Sequence, residues 1–208
     1  MSSRFAATRE QLSYQGVSLG IMALIASAAL VIASNATRLP IAAAEAHDLQ
    51  TSLAQVLPAG FADNDMLADK LEISTNDGAR KVIYRARKGG TITGAVFQSA
   101  SRGYAGDVVV LIGVSTEGTL MGTRVIKHVE TPGLGDKIEL AKSKWILAFD
   151  GKSLASLPAD KWAVKKDGGV FDQFAGATIT PRAVVKAVKS GLDFFATHRS
   201  EILQGDKP

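Results

Sequence analysis

Residues 11–37 carry no charge, and residues 16–34 are almost entirely Gly, Ala, Ile, Leu, Val and Met. A helix rises about 1.5 Å per residue, and the hydrocarbon core of a bilayer takes roughly 20 residues to cross. This run is long enough to span, so it divides the chain before anything else is considered. Arg4, Arg9 and the amino terminus precede it, whereas only Arg38 follows closely before Glu45 and Asp48. Basic flanks stay on the cytoplasmic side, which predicts a single-pass anchor with a cytoplasmic amino terminus and the main domain on the far side. A cleaved signal peptide is the competing reading, because Ala42, Ala43, Ala44 and Ala46 imitate a cleavage site. A signal's apolar region runs only about 7–15 residues, and the greater length here favours an uncleaved anchor.

The rest of the 208-residue chain is the size of one domain. Hydrophobic residues at 46% and charged residues at 21% suit a packed core and exclude both a disordered chain and a polytopic membrane protein. There are no cysteines, which excludes disulfides, thiolate-held zinc, protein-held iron–sulfur clusters and thiol chemistry; any redox role needs a borrowed cofactor. The net charge of +4 comes from dispersed Lys and Arg, and aromatics are only 6%, so there is no basic stripe interleaved with stacking rings and no nucleic-acid partner is expected.

Residues 42–55 are Ala-rich with only Leu49 and Leu53 as large apolar residues, which predicts a helical stalk outside the core. Residues 63–69 read as a loop or helix start. Four β-branched runs follow, at 82–84, 92–97, 108–114 and 120–129, broken by glycine-bearing turns, and they predict four strands. The short Thr116-Glu117-Gly118 turn joins the last two as an antiparallel hairpin. Ile138, Leu140, Ala141, Trp145 and Phe149 suggest a helix after Gly135, and residues 152–169 a polar connection. A final helix carries Val184, Val188, Leu192 and Phe195 on one face and Lys186, Lys189 and Asp193 on the other, with Thr180 as its cap and Pro181 in its first position. The fold class is α+β: a cytoplasmic amino terminus and single transmembrane helix (1–37), a stalk and helical lead-in (38–80), and a domain with an antiparallel sheet and flanking helices (81–208).

Three glycine-bearing runs could carry chemistry. In Asp172-Gln173-Phe174-Ala175-Gly176-Ala177-Thr178, the small Gly176 and Ala177 let another molecule approach the backbone beside the Thr178 hydroxyl. The helix that follows offers free N–H groups and the positive end of its dipole, suited to a phosphate. A tight turn plus a cap accounts for the same letters. In His128-Val129-Glu130-Thr131-Pro132-Gly133-Leu134-Gly135, Pro132 forces Thr131 out of the helical region, and the glycines permit close approach or positive φ. A plain strand-to-helix connection with a buried His is the alternative. Gly103-Tyr104-Ala105-Gly106 reads as a turn or as an aromatic lid over a planar ligand. His47 and His198 fall in the stalk and the tail, where no metal site is expected, and no nucleophilic triad or paired-carboxylate arrangement is visible.

Together these runs resemble the FMN-binding domain family. With the short leading segment and single anchor, the chain is similar over nearly its whole length to the G subunits of Rnf electron-transport complexes; the C subunits of sodium-translocating NADH:quinone oxidoreductases are the related alternative. The resemblance implies FMN joined through a phosphoester to Thr178 by a dedicated flavin transferase that uses FAD and magnesium. Asp172, Gly176 and Ala177 would complete the transferase's recognition sequence, and Ala175 stands where the family commonly has Ser or Thr. Thr131, Pro132, Gly133, Leu134 and Gly135 would pack near the flavin or its phosphate, with Tyr104 against the ring.

The implied role is that of a redox subunit in a multisubunit translocase, with no catalysis of its own. It would sit in a bacterial inner membrane beside other Rnf subunits, with its domain in the periplasm. A stand-alone periplasmic flavoprotein and an anchored binding module without flavin are the alternatives. His128 and Glu130 receive no catalytic role.

Overall fold

The computed structural model describes residues 12–75, 78 and 80–204. Arg4 and Arg9, on which the expected orientation rests, lie outside the described residues, and so do the side chains of Arg38, Glu45 and the alanines between 42 and 46. The chain forms two compact units, Met1–Asp48 and Leu49–Pro208.

Helix α1, Leu12–Gln55, supplies the first unit. Its segment Tyr14–Thr37 is long and apolar enough to cross a membrane, and none of it is buried by protein. Leu19, Met22, Leu24, Leu30 and Ile32 are all roughly 70% exposed. A helix that is apolar on every side has no polar face to turn to water and belongs in lipid.

The second unit is built on a five-stranded antiparallel sheet in the order β1-β2-β3-β4-β5. The strands are β1 (Lys70–Ser74), β2 (Arg80–Lys88), β3 (Thr91–Arg102), β4 (Asp107–Ser115) and β5 (Leu120–Lys127). The fold class is therefore α+β as expected, with one strand more than the sequence suggests. β1 escapes notice because Lys70-Leu71-Glu72-Ile73-Ser74 offers only two apolar residues; it is an edge strand, paired with β2 alone. The β4–β5 hairpin forms as expected, with Gly118 at φ +84 in its turn and its N–H bonded to the Ser115 carbonyl at 3.0 Å.

Helix α2, Ile179–Leu203, lies on one face of the sheet against β3 and β4. Val184, Val188, Leu192 and Phe195 are all buried, as their spacing predicts. Gly191 lets the helix approach closely at the crossing: a Cβ there would stand 2.4 Å from Ile112 Cδ1, which would have to shift. The Phe97 ring of β3 packs against both Phe194 and Phe195.

The helix expected between Ile138 and Phe149 does not form. The segment folds as two 3-10 turns, Asp136–Ile138 and Lys144–Phe149. Ser143 between them is extended, at φ −158, and its hydroxyl accepts the Trp145 N–H at 3.2 Å, which restarts the chain. Ile146 and Phe149 are three residues apart, a spacing that a 3-10 turn puts on one side as readily as an α-helix does. Both are fully buried, and the aromatic group of Trp145, Phe149, Trp162, Phe171 and Phe174 closes this side of the core.

The opposite sheet face carries a second apolar cluster, in which Leu53 and Val56 are fully buried against Val96 and Leu111. The end of α1 is thus a core element, contrary to the stalk expected for residues 42–55. The paired glycines Gly113 and Gly122 make this possible. A Cβ on Gly113 would lie 2.3 Å from the Val56 carbonyl oxygen, and one on Gly122 would lie 2.8 Å from it. Two adjacent positions without side chains let backbone cross directly over the sheet. The compact unit consequently opens at Leu49 and takes in β1, so residues 49–80 belong with the domain that was expected to begin at 81.

Candidate functional site

Three segments converge near the first turn of α2 and enclose a cleft of about 350 Å³. The turn at 103–106 contributes Tyr104; the loop after β5 contributes Glu130, Thr131, Leu134 and Gly135; the approach to α2 contributes Gly176, Ala177, Thr178, Ile179 and Thr180. The volume lies in the range of small-molecule sites, roughly 300–1,000 Å³.

The loop at 131–135 owes its shape to its letters. Leu134 and Gly135 both donate their N–H to the Thr131 carbonyl, at 3.2 and 3.0 Å, and Pro132 and Gly133 occupy the bend. Gly133 has φ +78, as the third position of a type II turn requires. Gly135 serves the other purpose expected of these glycines. Its φ is an ordinary −84, but a Cβ on it would meet Glu130 Cβ and Thr180 Oγ1 at 2.9 Å.

Before α2 the chain makes a second tight turn, with the Ala177 N–H donating to the Phe174 carbonyl at 3.2 Å and Gly176 at φ +80. Leu134 Cδ2 lies 3.4 Å from where a Gly176 Cβ would stand, so the two loops face each other closely across the cleft. The helix then starts earlier than expected. Its N-cap residue is Thr178, not Thr180, and Pro181 is its third residue rather than its first.

The two threonine hydroxyls have separate fates. Thr178 is half-buried in the cleft wall, and its hydroxyl makes no capping bond to the helix. Thr180 is fully buried and donates its hydroxyl to Glu130 Oε2. Thr180 is thus withdrawn from chemistry by burial and not by the capping role the sequence suggests.

Glu130 is buried, and its Oε1 accepts the Ala105 N–H at 3.1 Å. His128 accepts the Glu130 N–H on Nδ1 at 3.1 Å, and its Nε2 lies 2.9 Å from Glu139 Oε1. One nitrogen accepting fixes the other as the donor to Glu139.

Of the expected site residues, Tyr104, Thr131, Leu134, Gly135, Gly176, Ala177 and Thr178 line the cleft. Tyr104 is 73% exposed at its rim. Pro132 and Gly133 shape the loop from outside the lining, and Ala175 is exposed in the 174–177 turn. Asp172 also lies outside the lining: its carboxylate pairs with Lys165 Nζ at 2.6 Å, and its carbonyl accepts the Trp145 indole N–H at 2.8 Å. Glu130, Ile179 and Thr180 join the lining without having been expected there. The signal for Glu130 was its place inside the glycine-bearing run beside Thr131.

Next to the site, Arg182 in the first turn of α2 holds Asp167 in a bidentate pair at 2.6 Å. Its guanidinium pulls the Asp167 carboxyl below the usual range, and the pair raises Arg182 in turn. Among the described residues no group of three His, Asp or Glu side chains is placed to hold a metal ion.

Residues 103–193 match the FMN-binding domain family. That stretch begins at the Tyr104 turn and ends within α2, so it contains the whole cleft. The chain is also 50% identical over 188 residues to the G subunit of the ion-translocating oxidoreductase complex of Cereibacter sphaeroides, covering 90% of this chain and 86% of that one. The chain belongs to this G-subunit family. The corresponding protein of Stutzerimonas stutzeri is 50% identical over 188 residues, covering 90% and 82%. That of Pseudomonas aeruginosa is 44% identical over 204 residues, covering 95% of both chains.

Among solved structures, NqrC of Shewanella oneidensis is 20% identical, with a TM-score of 0.48, covering 67% of this chain and 74% of that one. The C subunit of a Na(+)-translocating NADH-quinone reductase from Parabacteroides distasonis is 19% identical, with a TM-score of 0.45, covering 69% and 70%. Within the G-subunit family, this chain gathers Thr178 and the two glycine turns around one cleft.

Proposed function

We propose that this chain is the membrane-anchored flavoprotein subunit of an Rnf-type ion-translocating electron-transport complex, and that it carries FMN as a phosphoester on Thr178. Family membership and the FMN-binding match support a membrane-associated flavoprotein in electron transport. The position of the Thr178 hydroxyl carries the finer reading. Thr178 lines the cleft with its hydroxyl unclaimed by the helix, while Thr180 is buried and spoken for.

The residues fit the group. Gly176, held at positive φ, keeps the wall beside Thr178 free of a side chain, and Leu134, Ile179 and Tyr104 offer apolar surface around the opening. When bound, FMN supplies the electron-accepting and electron-donating chemistry that the chain itself lacks. The protein's part is to fix the attachment point and to surround the ring. A covalent tether would keep the cofactor from diffusing away in the periplasm, the side that the basic flanks of the span favour for the domain.

Other Rnf subunits in the membrane are the partners, and a flavin transferase is the maturation enzyme. Ala175 is exposed in the 174–177 bend, which forms without a hydroxyl at that position.

The test is co-expression with a flavin transferase followed by denaturing electrophoresis under ultraviolet light. Wild type and Thr180→Ser should fluoresce and Thr178→Ala should not. A dark wild-type band would favour an anchored binding module. Gentle detergent extraction followed by sizing checks the partners: a lone species would favour a stand-alone flavoprotein.

A further inference from the structure

The Glu130 carboxylate touches two of the three cleft walls and belongs to the third. Its Oε1 accepts the Ala105 N–H in the turn that carries Tyr104, and its Oε2 accepts the Thr180 hydroxyl two residues beyond Thr178. The local packing is cut to fit it. A Cβ on Gly103 would lie 2.5 Å from Glu130 Oε1, and one on Gly135 would lie 2.9 Å from Glu130 Cβ. Its backbone is fixed as well, because the Glu130 N–H donates to His128 Nδ1 and His128 is held by Glu139. No Lys or Arg ion pair to this carboxylate is found among the described residues, so two neutral donors alone hold it in a buried position.

A buried carboxylate is costly to desolvate unless both oxygens are bonded, so this arrangement persists only while all three segments stay in place. We infer that Glu130 is the positioning residue of the cleft. Through Ala105 it sets the turn that presents Tyr104, and through Thr180 it sets the first turn of α2 and so the direction of the Thr178 hydroxyl. His128 acts behind it as the anchor of its backbone. This role rests on the reading of the cleft as the cofactor site, but the latch itself exists before any cofactor is bound.

The primary test therefore uses the full-length protein in detergent, produced without a flavin transferase. Amide hydrogen exchange is followed in wild type, Glu130→Ala and Glu130→Gln. Exchange at Ala105, at Ala177 and across 182–185 should rise at least tenfold in Glu130→Ala, with the β3–β4 amides unchanged. Glu130→Gln keeps one side-chain oxygen for the Ala105 N–H and an amide that can donate to Thr180, so it should restore most of the protection. If Glu130→Ala fails to fold, Thr180→Val severs only one arm; it should raise exchange at Ala177 and across 182–185 and leave Ala105 protected.

Protection equal to wild type in Glu130→Ala, or no rescue by Glu130→Gln, would overturn the assignment. With transferase present, flavin loading should fall at least fivefold in Glu130→Ala and recover in Glu130→Gln. Wild type that stays unloaded contradicts the FMN reading but leaves the exchange result standing. Wild type that loads while exchange is unaffected contradicts the latch alone.

Discussion

Thr178 and Thr180 stand two residues apart at the start of α2, yet one hydroxyl lines the cleft uncommitted and the other is buried on Glu130. Their removal should have opposite consequences. Thr180→Val keeps the shape but strips a buried carboxylate oxygen of its donor, a loss worth about 1.5–3 kcal/mol for a hydrogen bond to a charged group. Thr178→Val removes no structural bond and should stay within about 0.5 kcal/mol of wild type. Urea denaturation of the two variants without flavin checks the contrast.

Gly113 and Gly122 let the backbone at Val56 cross the sheet without a gap. Gly113→Ala forces a methyl to within 2.3 Å of a carbonyl oxygen that cannot rotate away. It should cost at least about 1–3 kcal/mol, the usual range for overpacking. Thermal melting of this variant should show the loss, and Gly133→Asn, at an open turn position, should show much less.

The compact unit opens at Leu49, so a chain begun there should fold, bind no membrane and melt cooperatively. A chain begun at Lys81 loses β1 together with Leu53 and Val56, each worth about 1.5–3 kcal/mol of burial. It should be insoluble or lack a sharp transition. Expression of both truncations and circular dichroism distinguish them.

Arg182 depresses the folded-state pKa of Asp167. A carboxylate so depressed contributes stability that is present above its unfolded value, near 4, and lost as pH falls through the folded value. Asp167→Asn should therefore flatten the decline of stability below about pH 4 and leave the neutral-pH slope unchanged. Because the pair is exposed, the difference should shrink in high salt. Denaturant titrations from pH 2 to pH 7 at two ionic strengths measure it.

The parts of this fold written as local periodicity were legible before the structure: the apolar span, the long strands, the hairpin and the buried face of α2. The 138–149 segment misled because a three-residue apolar spacing serves 3-10 turns and α-helices alike. Leu53 looked like part of a stalk because its partners, Val96 and Leu111, are distant in sequence. At the site, the glycine turns announced themselves through Pro132, Gly133 and Gly176. Glu130 shared their run, but its role was hidden, since its meaning comes from Ala105 and Thr180, which lie 25 and 50 residues away.

The central claim is the bond between Thr178 and FMN, and intact mass spectrometry of the denatured protein, produced with a flavin transferase, tests it most directly. Wild type should gain the mass of one FMN less water, with fragmentation placing it on Thr178, and Thr178→Ala should gain nothing. An unmodified wild type beside a verified active transferase, or a modified Thr178→Ala, would contradict the account.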